Sequence, residues 1–163
     1  MKQLHPSQLP YAGTDVSWGR TQGKITELLD KFGINDVVWN TVQGVPQLIF
    51  KTDVEIEEGK PRPLMVILKI PVFIERHRSW DSETRKSTWI EGPNLAQTGR
   101  IMLNILKGQL TAISGGVVKF EEIFLSDLAV PTPTGPRRFV EVMKERNLLG
   151  ESGILALPEA QVE

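Results

Sequence analysis

The 163-residue chain contains no cysteine and only two histidines. The absence of cysteine excludes a disulfide framework, a thiolate zinc site and a cysteine nucleophile. His5 lies in the proline-containing N-terminal segment and His77 in a long polar stretch, and neither can form a two-histidine metal face. No phosphate-binding loop, nucleophile elbow or dinucleotide-binding glycine motif is present. The sequence therefore predicts no cofactor and favours a non-catalytic protein.

Long apolar runs are also missing. None reaches the ~18 residues that a membrane-spanning helix needs, and the N-terminal segment MKQLHPSQLP has no apolar signal core. We therefore predict no membrane partner and a cytoplasmic location. With 40% apolar residues, 24% charged residues and a net charge of −1, the composition is typical of a folded domain and excludes a histone-like polycation.

The order of the patterns along the chain predicts one α+β domain over residues 17–147. An extended arm is expected at 1–16 because of its prolines and glycine, and a frayed tail is expected at 148–163. The domain should consist of an N-terminal helix, a three-stranded antiparallel meander, and a long C-terminal helix packed on one face of the sheet.

The first half of the domain carries helical and then strand periodicity. Ser17 is a suitable N-cap, and the apolar residues that follow it predict a helix over residues 18–32. Residues 35–73 contain three strand-like segments, with a turn at Gln43-Gly44 and a second turn over residues 57–62. The third strand is expected to run on to Phe73, and its continuous apolar character indicates that both of its faces are covered.

The second half begins with a polar stretch over residues 74–95, which we interpret as a protruding β-ribbon or a functional loop. A long helix is predicted over residues 96–114, then a short helix within residues 120–128. A turn-rich connector at 131–136 and a last helix over 139–146 complete the domain. The residues expected in the core are Trp39, Phe50, Ile67, Ile105 and Ile113.

Two segments carry a resemblance. Residues 100–116, RIMLNILKGQLTAISGG, followed by FEEIFL at 120–125, resemble a group of phage, prophage and plasmid proteins. In that group a long helix of the form RWRALLLVIKAKLEAVESGI precedes TFEEEFL, and residues 11–33 of this chain are similar to the group's opening helix. The resemblance implies a mobile-element origin and a shared fold, but no chemistry. The longer 74–95 segment departs from the group's pattern, as do Asn104 and Gly108.

One acidic pattern has the form of a metal site. Asp53, Glu55 and Glu57 alternate along the second strand, and Glu58 and Lys60 follow in the Glu-x-Lys arrangement of one class of magnesium nucleases. The simpler interpretation is that alternating charges on an exposed strand prevent edge pairing. A magnesium-dependent nuclease is therefore the weakest of the functional hypotheses.

Positive charge is concentrated in residues 76–119. This segment has seven Lys and Arg against three Asp and Glu, a net charge of +4, while the rest of the chain carries −5. Cations that neutralise phosphates, interleaved with aromatic rings on which bases stack, are typical of single-strand binding. The predicted phosphate contacts are Arg76, Arg78, Arg85, Lys86, Arg100 and Lys107, and the predicted stacking residues are Trp80 and Trp89.

The leading hypothesis is a non-catalytic nucleic-acid-associated protein that binds or anneals single-stranded DNA. A meander followed by a long helix is also the core plan of phage single-strand annealing proteins, which is an analogy of fold only. The alternative is a structural protein that docks a phage protein or self-associates into a homo-oligomer, with the two tryptophans as interface anchors. A third interpretation is that both indoles cover the core and the acids cancel the positive field.

Overall fold

The computed structural model describes residues 4–57, 59–146 and 148. They form an α+β fold in which an N-terminal helix, a three-stranded antiparallel sheet and a long helix follow one another as predicted. The helices are α1 (Trp18–Lys31), α2 (Leu95–Ser114), α3 (Phe120–Phe124) and α4 (Phe139–Glu145). The strands are β1 (Asp36–Val42), β2 (Val45–Glu57), β3 (Lys60–Lys69), β4 (Ile74–Asp81), β5 (Lys86–Pro93), β6 (Ala129–Thr132) and β7 (Gly135–Arg138).

The start of α1 confirms the predicted cap. The Ser17 hydroxyl accepts a hydrogen bond from the backbone N–H of Arg20 at 3.4 Å, which satisfies one of the free donors of the first turn. Ile25 and Leu29 are fully buried one turn apart, so the predicted apolar face is the one that packs on the sheet.

The first three strands form a meander with the order β1-β2-β3. Gln43 and Gly44 both have positive φ (51° and 78°), the conformation that a tight two-residue hairpin requires. The turn predicted over residues 57–62 is shorter than predicted, because cross-strand pairing continues to Glu57 and Lys60. Pro61 is compatible with this pairing because β3 is an edge strand of the sheet, where proline is tolerated.

The core lies between one face of this sheet and the helices. Met102, Leu106 and Leu110 of α2 point into it, and the rings of Phe50 and Phe124 meet edge to face at 5.7 Å. Of the residues expected in the core, Phe50 and Ile67 are buried, and Trp39 and Ile113 are half-buried against it.

The prediction for Ile105 is wrong, since 44% of this residue is exposed. The residues at 102, 106 and 110 follow the i, i+4 spacing that faces the sheet, and Ile105 lies about 100° away from that row. The apolar stripe of α2 that packs on the sheet is therefore narrower than the sequence pattern indicates.

Over residues 66–68 both faces of β3 are covered, as predicted for the apolar part of this strand, whereas residues 60–63 are exposed. Val66 and Leu68 face the core, while Ile67 points to the opposite face and is only 7% exposed. The predicted extension to Phe73 is wrong because β3 ends at Lys69. Pro71 has no N–H, so a ladder of backbone hydrogen bonds cannot continue through it.

Residues 4–16 differ from the predicted extended arm. They contain a short 3-10 turn over Pro6–Gln8 and lie against α2. The fully buried Gln97 donates its Nε2 hydrogens to the backbone carbonyls of Pro6 at 2.8 Å and Pro10 at 3.1 Å. This segment is therefore packed onto the domain by a buried amide.

The end of the fold contains one unexpected element. Helix α3 continues into a 3-10 turn over Leu125–Asp127, and α4 follows, as predicted. Residues 131–136, predicted as a connector, instead form most of the β6–β7 hairpin. Leu128 bridges Val66 of β3, so the hairpin starts beside the sheet. The predicted tail from residue 149 lies outside the described residues.

Candidate nucleic-acid interface

The polar stretch predicted as a ribbon or loop is a ribbon: β4 and β5 pair with each other and with no other strand of the described chain. A turn of residues 82–85 joins them. The Asp81 carboxylate accepts hydrogen bonds from the Glu83 N–H at 2.9 Å and the Thr84 hydroxyl at 2.7 Å. These hydrogen bonds hold the pKa of the Asp81 carboxyl below its usual value, and the bond from Thr84 contributes most.

The base of the ribbon is tied to the start of α2. Asn94 caps this helix, accepting from the backbone N–H of Gln97 at 3.1 Å, and its own N–H donates to the Phe73 carbonyl at 2.8 Å. The Asn94 side-chain amide also donates to the Glu75 carboxylate on β4. One asparagine thus fixes where the ribbon leaves the domain.

The ribbon makes no contribution to the buried core. Among its residues whose burial is described, none is buried. Trp80 is 67% exposed and Trp89 is 58% exposed. The interpretation in which both indoles cover the core is therefore wrong.

The strand register decides which side chains share a face. Arg78 lies opposite Trp89, and Trp80 lies opposite Ser87. Because cross-strand partners point to the same side and alternate residues do too, Arg76, Arg78, Trp80 and Trp89 lie together. We call this the Arg–Trp face.

Two guanidinium groups lie over one indole on this face. The Cζ atom of Arg78 is 5.8 Å from the centre of the Trp89 ring, and that of Arg76 is 5.9 Å away. A cation within about 6 Å of an indole is attracted by the negative face of the ring. No ion pair joins either guanidinium to a carboxylate of the described residues.

The charge of the ribbon is balanced overall but divided between its faces. Residues 74–93 carry four Lys and Arg and four Asp and Glu, so the positive surplus of residues 76–119 comes mainly from Arg100, Lys107 and Lys119. On the Arg–Trp face two guanidiniums meet one carboxylate, that of Glu91 opposite Arg76. The Arg–Trp face therefore has one positive charge in excess, and a polyanion would find two cations side by side on it.

The other predicted phosphate contacts lie elsewhere. Lys86 is opposite Asp81 on the reverse face of the ribbon, and Arg85 is in the turn with a φ of 51°. Lys107 is exposed on α2. The structure brings together Arg76, Arg78, Trp80 and Trp89, but not these residues.

Arg100 is held by a residue that the sequence did not single out. Its guanidinium carbon lies 5.3 Å from the centre of the Tyr11 ring, and the Tyr11 hydroxyl accepts from the Asn104 amide at 2.9 Å. The half-buried Arg100 therefore fixes the N-terminal segment to α2. Tyr11 and Arg100 are far apart in the sequence, so no local pattern could have paired them.

Within the described chain, the acidic pattern of β2 belongs to no group of three or more His, Asp or Glu residues placed to hold a metal ion. Glu58, the acid of the Glu-x-Lys arrangement, lies outside the described residues. The Glu55 carboxylate accepts the Gly59 N–H of the following turn, so it serves the β2–β3 hairpin. The described residues likewise include no helix long and apolar enough to cross a membrane.

Comparisons of the chain with protein families, with curated proteins and with solved structures found no match. The resemblance to phage and plasmid proteins therefore stays a prediction, and any function of the chain must be inferred from the geometry of the ribbon.

Proposed function

We propose that this protein is a non-catalytic, single-stranded nucleic-acid-binding protein of a phage or other mobile element, of the binding or annealing type, and that the strand lies on the Arg–Trp face. The observation that carries the proposal is the grouping of two exposed indoles with two guanidiniums that have no carboxylate partner in the described chain. Such a surface offers stacking and charge neutralisation to the same ligand.

The shape of the ribbon supports a single strand as the ligand. A base must leave its helical stack before it can lie on an indole, and the bases of a single strand do so at little cost. The face is also open along its whole length, since none of its residues is buried.

The experiment is a salt series of oligothymidylate binding, measured by fluorescence anisotropy. For single strands, log K falls with log salt by about 0.7 for each neutralised phosphate. The variant Arg76→Ala/Arg78→Ala should therefore bind more weakly and lose up to about 1.4 of that slope. Trp80→Ala/Trp89→Ala should lose at least about tenfold in affinity, the contribution of one stacked base.

The matched control is Arg20→Ala/Lys24→Ala, which removes two exposed cations from α1 and changes the net charge equally. It should leave the affinity almost unchanged. If the wild-type protein produces no anisotropy change at low salt, or if the control variant loses as much affinity as the ribbon variant, the proposal is wrong.

A second candidate function, docking of a protein partner or a second copy, is favoured by one specific observation. Exposed apolar side chains occur on both faces of the ribbon, with Ile74 65% and Ile90 43% exposed in addition to the indoles. Light scattering tests it directly: an oligomer that persists at high salt, from a protein without affinity for oligonucleotides, would favour docking over strand binding.

A further inference from the structure

The two indoles of the Arg–Trp face have different surroundings. Trp89 lies near the guanidiniums of both Arg76 and Arg78, with nearly equal distances of 5.9 Å and 5.8 Å from its ring centre to their Cζ atoms. Arg78 is its direct cross-strand partner, and Arg76 lies two residue pairs closer to the base of the ribbon, on the same face. An arginine that rests on an aromatic ring keeps the N–H groups in its own guanidinium plane free for a phosphate.

Trp80 has no such neighbours. It lies two residue pairs nearer the turn, opposite Ser87, and is the more exposed indole, at 67%. In the part of the chain that the structure describes, neither another ring nor a cation lies against it. Its ring is therefore open to a flat ligand.

We infer, on the basis of the proposed function, that the two tryptophans perform separate tasks. Trp80 stacks on an unpaired base, while Trp89 is a positioning residue that holds Arg76 and Arg78 where they contact successive phosphates. The ligand class that fits both tasks is a flexible single strand whose base lies toward the turn and whose backbone crosses the middle of the ribbon. A duplex presents its phosphates to the arginines but no free base to Trp80.

A strand without bases separates the two tasks. The probes are oligothymidylate and an abasic deoxyribose-phosphate oligomer of equal length and charge, each labelled at one end. Trp80→Ala should weaken oligothymidylate binding by about tenfold or more, the loss of one stacked base, and leave binding of the abasic oligomer within about twofold. Trp89→Ala should weaken the binding of both probes by the same factor and reduce the salt slope of both.

The conservative variant Trp89→Phe keeps an aromatic face for the guanidiniums, although phenylalanine attracts cations less strongly than tryptophan. Trp89→Phe should therefore keep most of the salt slope that Trp89→Ala loses. Far-ultraviolet circular dichroism and thermal melts establish that each variant is folded, as expected for exposed positions.

Three outcomes have distinct meanings. If both alanine variants weaken oligothymidylate alone, both indoles stack and the separation of tasks is wrong, although the proposed function stands. If Trp80→Ala weakens both probes equally, Trp80 does not act through a base and the inference is again wrong. If the wild-type protein binds neither probe at low salt, the proposed function itself fails.

Discussion

At the residue scale, Gly99 marks the tightest approach between α1 and α2. A Cβ atom at this position would lie 2.7 Å from two ring carbons of Trp18 and 3.2 Å from the methyl group of Thr21. The Trp18 ring is itself held edge to face against Trp39, with 5.4 Å between ring centres. It therefore has little freedom to move aside.

We expect Gly99→Ala to lower the free energy of unfolding by about 1–3 kcal/mol, the usual cost of forcing atoms into a packed contact. Urea denaturation followed by circular dichroism measures the change. Gly108→Ala is the matched control, because it lies on the same helix and a Cβ atom added there would meet no neighbouring atom within 4 Å. There the better helix propensity of alanine should raise stability by about 0.5–1 kcal/mol. Equal effects at the two positions would contradict the packing argument.

Single residues were predictable from sequence where the cause is local. The Ser17 cap acts through an amide three residues later, so its chemistry is visible in the sequence alone. The contact of Tyr11 with Arg100 and the bonds of Gln97 to the N-terminal segment depend on tertiary packing. For this reason the sequence predicts that Arg100 contacts phosphate, whereas it lies against a ring of its own chain.

At the element scale, charged groups join α4 to the rest of the domain. Glu141 pairs with Lys69 of β3 and lies 3.8 Å from a guanidinium nitrogen of Arg138, and Arg138 pairs with Asp127. Partial burial raises the pKa of Glu141. The hydrogen bond and charge of Lys69, with the charges of Arg138 and Arg137, outweigh that effect, so its pKa lies below the ordinary value of 4.5.

This shift predicts a pH dependence of stability. A carboxyl whose pKa is lower in the folded state stabilises the fold above its unfolded pKa, and that stabilisation is lost as the pH falls through the folded pKa. Glu141→Gln should therefore be less stable than wild type at pH 7 by about 0.5–1 kcal/mol. The difference should shrink as the pH falls below 4.5, as measured by urea denaturation across the pH range.

The control for net charge is Glu27→Gln, at an exposed position on α1. It removes one negative charge without touching α4. If Glu141→Gln and Glu27→Gln lower stability equally at every pH, the pairing of Glu141 with Lys69 has no measurable effect on the fold.

Element types were predictable where periodicity determines them, and so was the antiparallel pairing of the three strands joined by short turns, but the register of the ribbon was not. The helical spacing after Ser17 and the alternation from residue 35 predict α1 and the meander. The β6–β7 hairpin was missed because prolines at 131, 133 and 136 indicate turns rather than strands. In the ribbon, the spacing of Arg76, Arg78 and Trp80 places them on one face of any strand, but Trp89 joins them only in the observed register. A slip of one residue would move it to the other face.

At the scale of the whole molecule, the fold separates stability from the proposed binding surface. The core is formed by the helices and the three-stranded sheet, whereas the described residues of the ribbon lie outside it. The sequence indicated a basic, aromatic segment at residues 76–119. The net charge of that segment does not show which face of the ribbon carries the positive charge. The alternation of side chains along β4 and β5, together with their pairing, shows that two arginines share a face with both indoles. Three of the four carboxylates of the ribbon lie elsewhere.

This separation predicts that the ribbon can be removed without unfolding the protein. Glu75 and Gly92 are cross-strand partners, so replacing residues 76–91 with Asn-Gly would join them by a two-residue hairpin turn. The hydrogen bond from Asn94 to Glu75 would remain in place. Because no residue described as buried is lost and a loop is shortened, we expect the free energy of unfolding to change by no more than about 0.5–1 kcal/mol.

The shortened protein should melt cooperatively at nearly the wild-type temperature and bind oligothymidylate no better than Arg76→Ala/Arg78→Ala does. Calorimetry and anisotropy on the same preparation measure both quantities. Loss of cooperative melting would mean that the ribbon stabilises the core in spite of its exposure. Full retention of binding would place the strand on another surface, and the exposed side of α2 with Lys107 would then be the next to change, because it carries part of the remaining positive surplus.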